Sequence, residues 1–231
     1  RINDLTKVLD KALTDLGYEQ VTKAYFDTLR IVVGDAINGL KSEALNQDLN
    51  FFYHDNTVGV SIDETTTVAD IENIVKVFAK IKGLSGNDVD LSSIVDAEYS
   101  SIPAELVRTT AYLTHPIFNS YHSESEMLRY IKSLEAKDLS LCHSMIPLGS
   151  CTMKLNATTE MVPLTWSYFG GLHPFAPIDQ TAGYMLLINE LNEWLAEITG
   201  FAKMSFQPNS GAQGEYAGLM VIRAYHESRG D

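Results

Sequence analysis

The sequence predicts a mixed α/β chain in two parts. A small α+β unit covers residues 1–100, and from residue 121 a region of helices and loops ends in a strand–turn–helix. Three observations carry this reading. Two short β-rich runs, Leu49 to Tyr53 and Thr57 to Ile62, flank the turn His54-Asp55-Asn56 and sit between amphipathic helical patterns. Residues 83–118 lose periodicity and collect Gly83, Gly86, Asn87, Pro103 and Pro116, so a connector is placed over residues 101–120. An apolar run from Phe201 to Phe206 feeds a Ser/Gly turn and then a helical pattern from Ala212 to His226.

In chain order, Ile2 to Leu16 is a helix, because Leu5, Val8, Leu9, Ala12, Leu13 and Leu16 fall on one face and Gly17 supplies the stop. Ala24 to Val33 alternates and is β-branched toward its end, which predicts a strand. A short helix follows from Asp35 to Asn46. Thr67-x-x-Asp70 is an acidic capping box that opens a helix over Val68 to Ile81, with Ile71, Ile74, Val75 and Phe78 inward. Asp63 and Glu64 precede that helix and suit its positive end. The connector holds at most a short helix around Ala104 to Leu113. Ser123-x-x-Glu126 opens a helix to about Ala136, with Met127, Tyr130, Ile131 and Leu134 as its expected buried face. Two irregular stretches, Leu139 to Pro163 and Gly170 to Pro177, are rich in chemically able residues. A long helix from Gln180 to Thr199 then ends at Gly200.

A net charge of −13 over 231 residues argues against non-specific nucleic-acid binding or an anionic membrane surface. No apolar run is long enough to span a bilayer, and the first residues lack a signal-peptide core. Two cysteines, Cys142 and Cys151, are too few for a disulfide-stapled secreted domain, so a reducing interior is expected. The first residue is Arg1 and the last three follow a helix directly, which reads as a piece of a longer protein.

The strongest chemical motif is Gln207-Pro208-Asn209-Ser210-Gly211-Ala212-Gln213-Gly214. Unpaired amides at the start of a helix, its dipole and the Ser210 hydroxyl would cradle a phosphate. The plainer reading is that Ser210 caps the helix and the glycines allow close packing. Neither G-x-G-x-x-G nor the P-loop pattern is present. Cys151 could be a nucleophile beside His143 or His173, or a small buried apolar group. Lys154 could contact an anion or be a solvated charge. His173 could act in a cavity or hold its own loop. The histidines form no zinc signature, with no H-E-x-x-H and no paired C-x-x-C, so no metal site is expected.

Two stretches, Ser144-Met145-Ile146-Pro147-Leu148-Gly149-Ser150-Cys151-Thr152-Met153-Lys154-Leu155-Asn156 and Gln207 to Gly218, resemble the P-protein family of the glycine cleavage system. Tyr121-His122-Ser123-Glu124, Leu172-His173-Pro174-Phe175, Ile222-Arg223-Ala224-Tyr225-His226, Phe26-Asp27-Thr28-Leu29-Arg30 and Asp63-Glu64-Thr65-Thr66-Thr67 add to the likeness. The resemblance implies a pyridoxal-phosphate enzyme of the aspartate-aminotransferase-like fold type I. Residues 1–100 would be the small α+β subdomain closing a first half, and residues 121–231 the opening of a large α/β domain in a second half. It implies glycine decarboxylation, with the aminomethyl group passed to the lipoyl arm of H-protein and CO2 released. Ser210, Gly211 and Ala212 would hold the cofactor phosphate. Ser150, Cys151 and Thr152 would meet the glycine carboxylate, and Thr152 and His173 would contribute to catalysis. The family's Schiff-base lysine follows a histidine in a motif absent from this sequence, so this stretch alone should be inactive and Lys154 does not take that role. A homodimer or pseudo-dimer of halves is implied, in a bacterial cytoplasm or a mitochondrial matrix. The competing readings are another decarboxylase or lyase of the same fold, or a non-catalytic binding piece.

Overall fold

In the first 84 residues the apolar faces of three helices and of one sheet meet in a single core. The computed structural model describes residues 1–84, 100–140 and 157–230, and the chain divides into two units, Arg1–Leu113 and Thr114–Asp231.

In the first unit, α1 (Ile2–Asp15) buries Leu9, Ala12 and Leu13 completely and is followed by Gly17 at φ 78. The strands β1 (Glu19–Gln20) and β2 (Thr28–Val32) come next, then a 3-10 turn and α2 (Ile37–Asn46). The strands β3 (Phe52–His54) and β4 (Thr57–Ser61) lead into α3 (Val68–Ile81). The four strands form an antiparallel sheet in the order β1-β2-β4-β3. Its register sets Leu29 opposite Val60 and Ile31 opposite Val58, all four buried beneath the helices. Phe78 of α3 is fully buried; its ring meets Tyr18 edge-on at 5.1 Å, and its carbonyl accepts the Tyr18 hydroxyl at 2.9 Å. Lys80 ties α3 to Glu43 of α2 at 2.7 Å.

Three expectations change here. The strand expected from Ala24 begins at Thr28, because the Tyr25 amide donates to Ser101 and its hydroxyl reaches Asp10 at 2.6 Å. The strand expected over Leu49 to Tyr53 shifts to Phe52–His54, because the Leu49 amide still bonds back to Ala44 at the end of α2. His54 pairs with Thr57, so the turn is Asp55-Asn56, with Asp55 at φ 50. The helix expected around Ala104 to Leu113 is a single 3-10 turn, Ala104–Leu106; Val107 is already extended.

The second unit carries α4 (Glu124–Glu135), the one-turn helices α5 (Thr158–Met161) and α6 (Ser167–Gly170), then α7 (Ala182–Thr199) and α8 (Gly211–Arg229). Gly200 ends α7 at φ 74, a left-handed stop that costs glycine nothing. No strand occurs among the described residues of this unit. Phe201 to Phe206, expected as a strand, pairs with no strand among the described residues; the Met204 amide donates to the Asn192 side chain at 2.7 Å. The expected buried face of α4 is open, with Met127, Ile131 and Leu134 between 42% and 52% exposed. No helix among the described residues is long and apolar enough to cross a membrane.

Candidate functional site

The N-terminus of α8 is assembled from Asn209, Ser210 and the first turn of a 19-residue helix. Ser210 is extended (φ −152, ψ 165), the backbone that a cap residue needs. Its Oγ accepts from the Gln213 amide at 3.2 Å, and its carbonyl accepts from Gly214 at 3.0 Å. The Gln213 Oε1 accepts the Asn209 amide at 2.7 Å. No acceptor among the described residues takes the amide hydrogens of Ser210, Gly211 or Ala212. The Ser210 hydroxyl accepts from within the helix and keeps its own proton for an outside acceptor. The two sequence readings of Ser210 therefore coexist: it caps the helix, and it retains a donor.

The first turn of α8 holds no acidic side chain, so the positive end of the helix dipole is not cancelled locally. A Cβ placed on Gly211, Gly214 or Gly218 would meet nothing within 4 Å among the described residues. Consecutive amide donors, a hydroxyl donor, open space and an uncancelled dipole are the chemistry a phosphate requires.

His173 lies in the loop after α6 and is exposed. Its Nδ1 accepts the Phe175 amide at 3.0 Å and its carbonyl accepts from Ala176 at 3.0 Å, so the residue holds its own loop. With Nδ1 an acceptor, the neutral ring carries its proton on Nε2. The loop entrance leaves no room for a side chain: a Cβ on Gly171 would stand 2.6 Å from the Ser167 carbonyl oxygen, and the Tyr184 hydroxyl donates to the Phe169 carbonyl. No hydrogen bond or ring contact among the described residues joins His173 to Ser210. Ser150, Cys151 and Thr152, with His143 and Lys154, lie outside the described residues.

Sequence reasoning gave Gln213 no role, although it anchors the turn. The signal was present as Ser210-x-x-Gln213, the polar pair three residues apart that marks a helix start.

Residues 1–78 match the family profile described as Glycine cleavage system P-protein. The whole chain is 50% identical over 231 residues to a glycine dehydrogenase (decarboxylating) of Vibrio vulnificus, covering 24% of that protein. It is 52% identical over 232 residues to one of Vibrio campbellii, again covering 24% of it. With one of Deinococcus radiodurans the identity is 52% over 231 residues, covering 23%. The chain thus spans about a quarter of the length of the curated relatives it matches, and its similarity to these glycine dehydrogenases runs along its whole length.

Proposed function

We propose that this chain is the part of a pyridoxal-phosphate-dependent glycine decarboxylase that grips the cofactor phosphate. The observation that carries the reading is the open N-terminus of α8, where Ser210, Gly211 and Ala212 present donors with no partner among the described residues. In a chain half identical to glycine dehydrogenases over its full length, an anion cradle of this kind suits the phosphate of that cofactor. The amides and the hydroxyl would fix the phosphate end, which anchors the reactive ring at a set distance from the helix. Bound there, pyridoxal phosphate supplies an electron sink for loss of the glycine carboxylate as CO2. Ser150, Cys151 and Thr152 would donate to that carboxylate, and Thr152 with the His173 Nε2–H would line the reacting side. The Schiff-base lysine comes from sequence other than this stretch, and Lys154 does not replace it. The aminomethyl group passes to the lipoyl arm of H-protein.

The same reading takes residues 1–100 as a small subdomain of an aspartate-aminotransferase-like fold, residues 101–120 as connector and residues 121–231 as the start of a large domain. It places the protein in the cytoplasm of a bacterium, as a homodimer or pseudo-dimer of halves. In the complete protein, Ser210→Ala should weaken pyridoxal-phosphate binding by about tenfold, the worth of one hydrogen bond to a charged group. Unchanged affinity would remove Ser210 from the cradle. Exchange of labelled bicarbonate into the glycine carboxyl should require both pyridoxal phosphate and a lipoylated carrier. Full exchange without the carrier would point to a different decarboxylase of the same fold.

A further inference from the structure

Among the described residues, three helices begin with a hydroxyl residue followed three positions later by a side chain that can reach back, and one of them is built differently. On α3, the Asp70 carboxylate accepts both the Thr67 amide and the Thr67 hydroxyl through Oδ2, each at 2.7 Å. On α4, the Glu126 carboxylate accepts the Ser123 amide at 3.1 Å and the Ser123 hydroxyl at 3.0 Å. The Thr67 and Ser123 hydroxyls hold these two carboxyls below the usual carboxylate range, so both are charged at neutral pH. At each of these helix starts the cap residue's donors are spent and a negative charge occupies the positive pole.

On α8 the corresponding side chain is neutral. Gln213 Oε1 accepts the amide one residue before the cap, Asn209, at 2.7 Å, as Glu126 also does with His122 at 3.2 Å, but it takes neither the Ser210 amide nor the Ser210 hydroxyl proton. The first acid of α8 in sequence is Glu215, beyond the first turn. Gln213 therefore braces the turn from outside while adding no charge.

We infer that Gln213 is a positioning residue for the phosphate cradle: its neutral carboxamide clamps Asn209 so that the donors of Ser210, Gly211 and Ala212 stay free and the helix pole stays open to an anion. The inference rests on the cradle reading above and adds to it the requirement that this side chain be uncharged. A carboxylate here has the reach to close the box as Glu126 does on α4, consuming the Ser210 amide and hydroxyl and repelling the phosphate. Such a change caps the helix more completely, so it leaves the unliganded protein at least as stable while damaging anion binding. A residue with a purely structural role would move stability and affinity in the same direction.

The test compares Gln213→Glu, Gln213→Met and the unmodified complete protein. It measures the affinity for pyridoxal 5′-phosphate and for pyridoxal, which lacks the phosphate, together with the unliganded unfolding midpoint. Gln213→Glu should weaken pyridoxal 5′-phosphate by about tenfold or more, leave pyridoxal unchanged, and hold or raise the midpoint. Gln213→Met, which loses the clamp and adds no charge, should weaken pyridoxal 5′-phosphate by a smaller factor. Gln213→Glu binding pyridoxal 5′-phosphate as the unmodified protein does would overturn the inference while leaving the cradle in place. Unmodified protein that binds pyridoxal 5′-phosphate no better than pyridoxal would overturn the cradle and this inference together.

Discussion

The two units spend similar apolar material in opposite ways. In the first, Leu9, Leu13, Leu29, Ile31, Leu40, Val58, Ile71, Val75 and Phe78 are all buried in one core. In the second, Trp194, Ile198, Leu219 and Val221 are 62–77% exposed, and among its described residues Ser140 alone is buried. The difference lies in the cover. On α1 and α3 the apolar residues form one stripe that the sheet and a neighbouring helix cover, so the unit closes on itself. On α7, Leu187, Leu191, Trp194 and Ile198 share one face with Leu186 and Ile188 on its flanks, and among the described residues that stripe stays open. Apolar content alone does not make a core; a stripe needs a layer to lie against.

The widest gap between the units should appear on cutting a large side chain. Phe78→Ala should cost about 3–5 kcal/mol, since the ring is fully buried, whereas Trp194→Ala should stay within about 0.5 kcal/mol. Denaturant unfolding of both variants checks this, and similar losses at the two sites would erase the contrast. A second effect is confined to the first unit. Burial pushes the Tyr18 hydroxyl from 10.0 up to about 12. A raised folded value means that the stability it provides is complete below pH 10 and is lost as the pH climbs toward 12. The full loss should be about 2–3 kcal/mol. Tyr18→Phe should flatten that alkaline decline, at a cost of about 1 kcal/mol at neutral pH for the hydrogen bond to Phe78. The smallest effect is at the cap: Thr67→Ala should cost about 1 kcal/mol, read as earlier hydrogen exchange in the first turn of α3. A loss larger than that at Phe78 would mean that capping, and not one-sided burial, holds the first unit.

Much of the fold was legible where its signals are local. Thr67-x-x-Asp70 and Ser123-x-x-Glu126 each open a helix where the sequence places one, and Ile81 ends α3 at the expected residue. What failed depended on distant partners. The backbone of Tyr25 turns toward Ser101, far along the chain, and leaves the strand short. Phe201 to Phe206 has strand composition, but a strand exists only beside another. The amphipathic stripe of α4 is real, yet a stripe announces a need for cover and does not supply it. At the candidate site, the helix start at Ser210 was readable from turn chemistry. Gln213 was not, because the sequence shows its spacing but not which amide its carbonyl chooses.

The neutral side chain at the start of α8 is also a matter of chemical ageing. Gln213 is followed by Gly214, so no side chain on the next residue stands between the Gln213 carboxamide and the backbone that follows it. Hydrolysis of that carboxamide releases ammonia and leaves a carboxylate, which installs glutamate at this position without any change in the gene. On the cradle reading proposed above, an old molecule would keep its fold and its caps, and would lose its grip on phosphate.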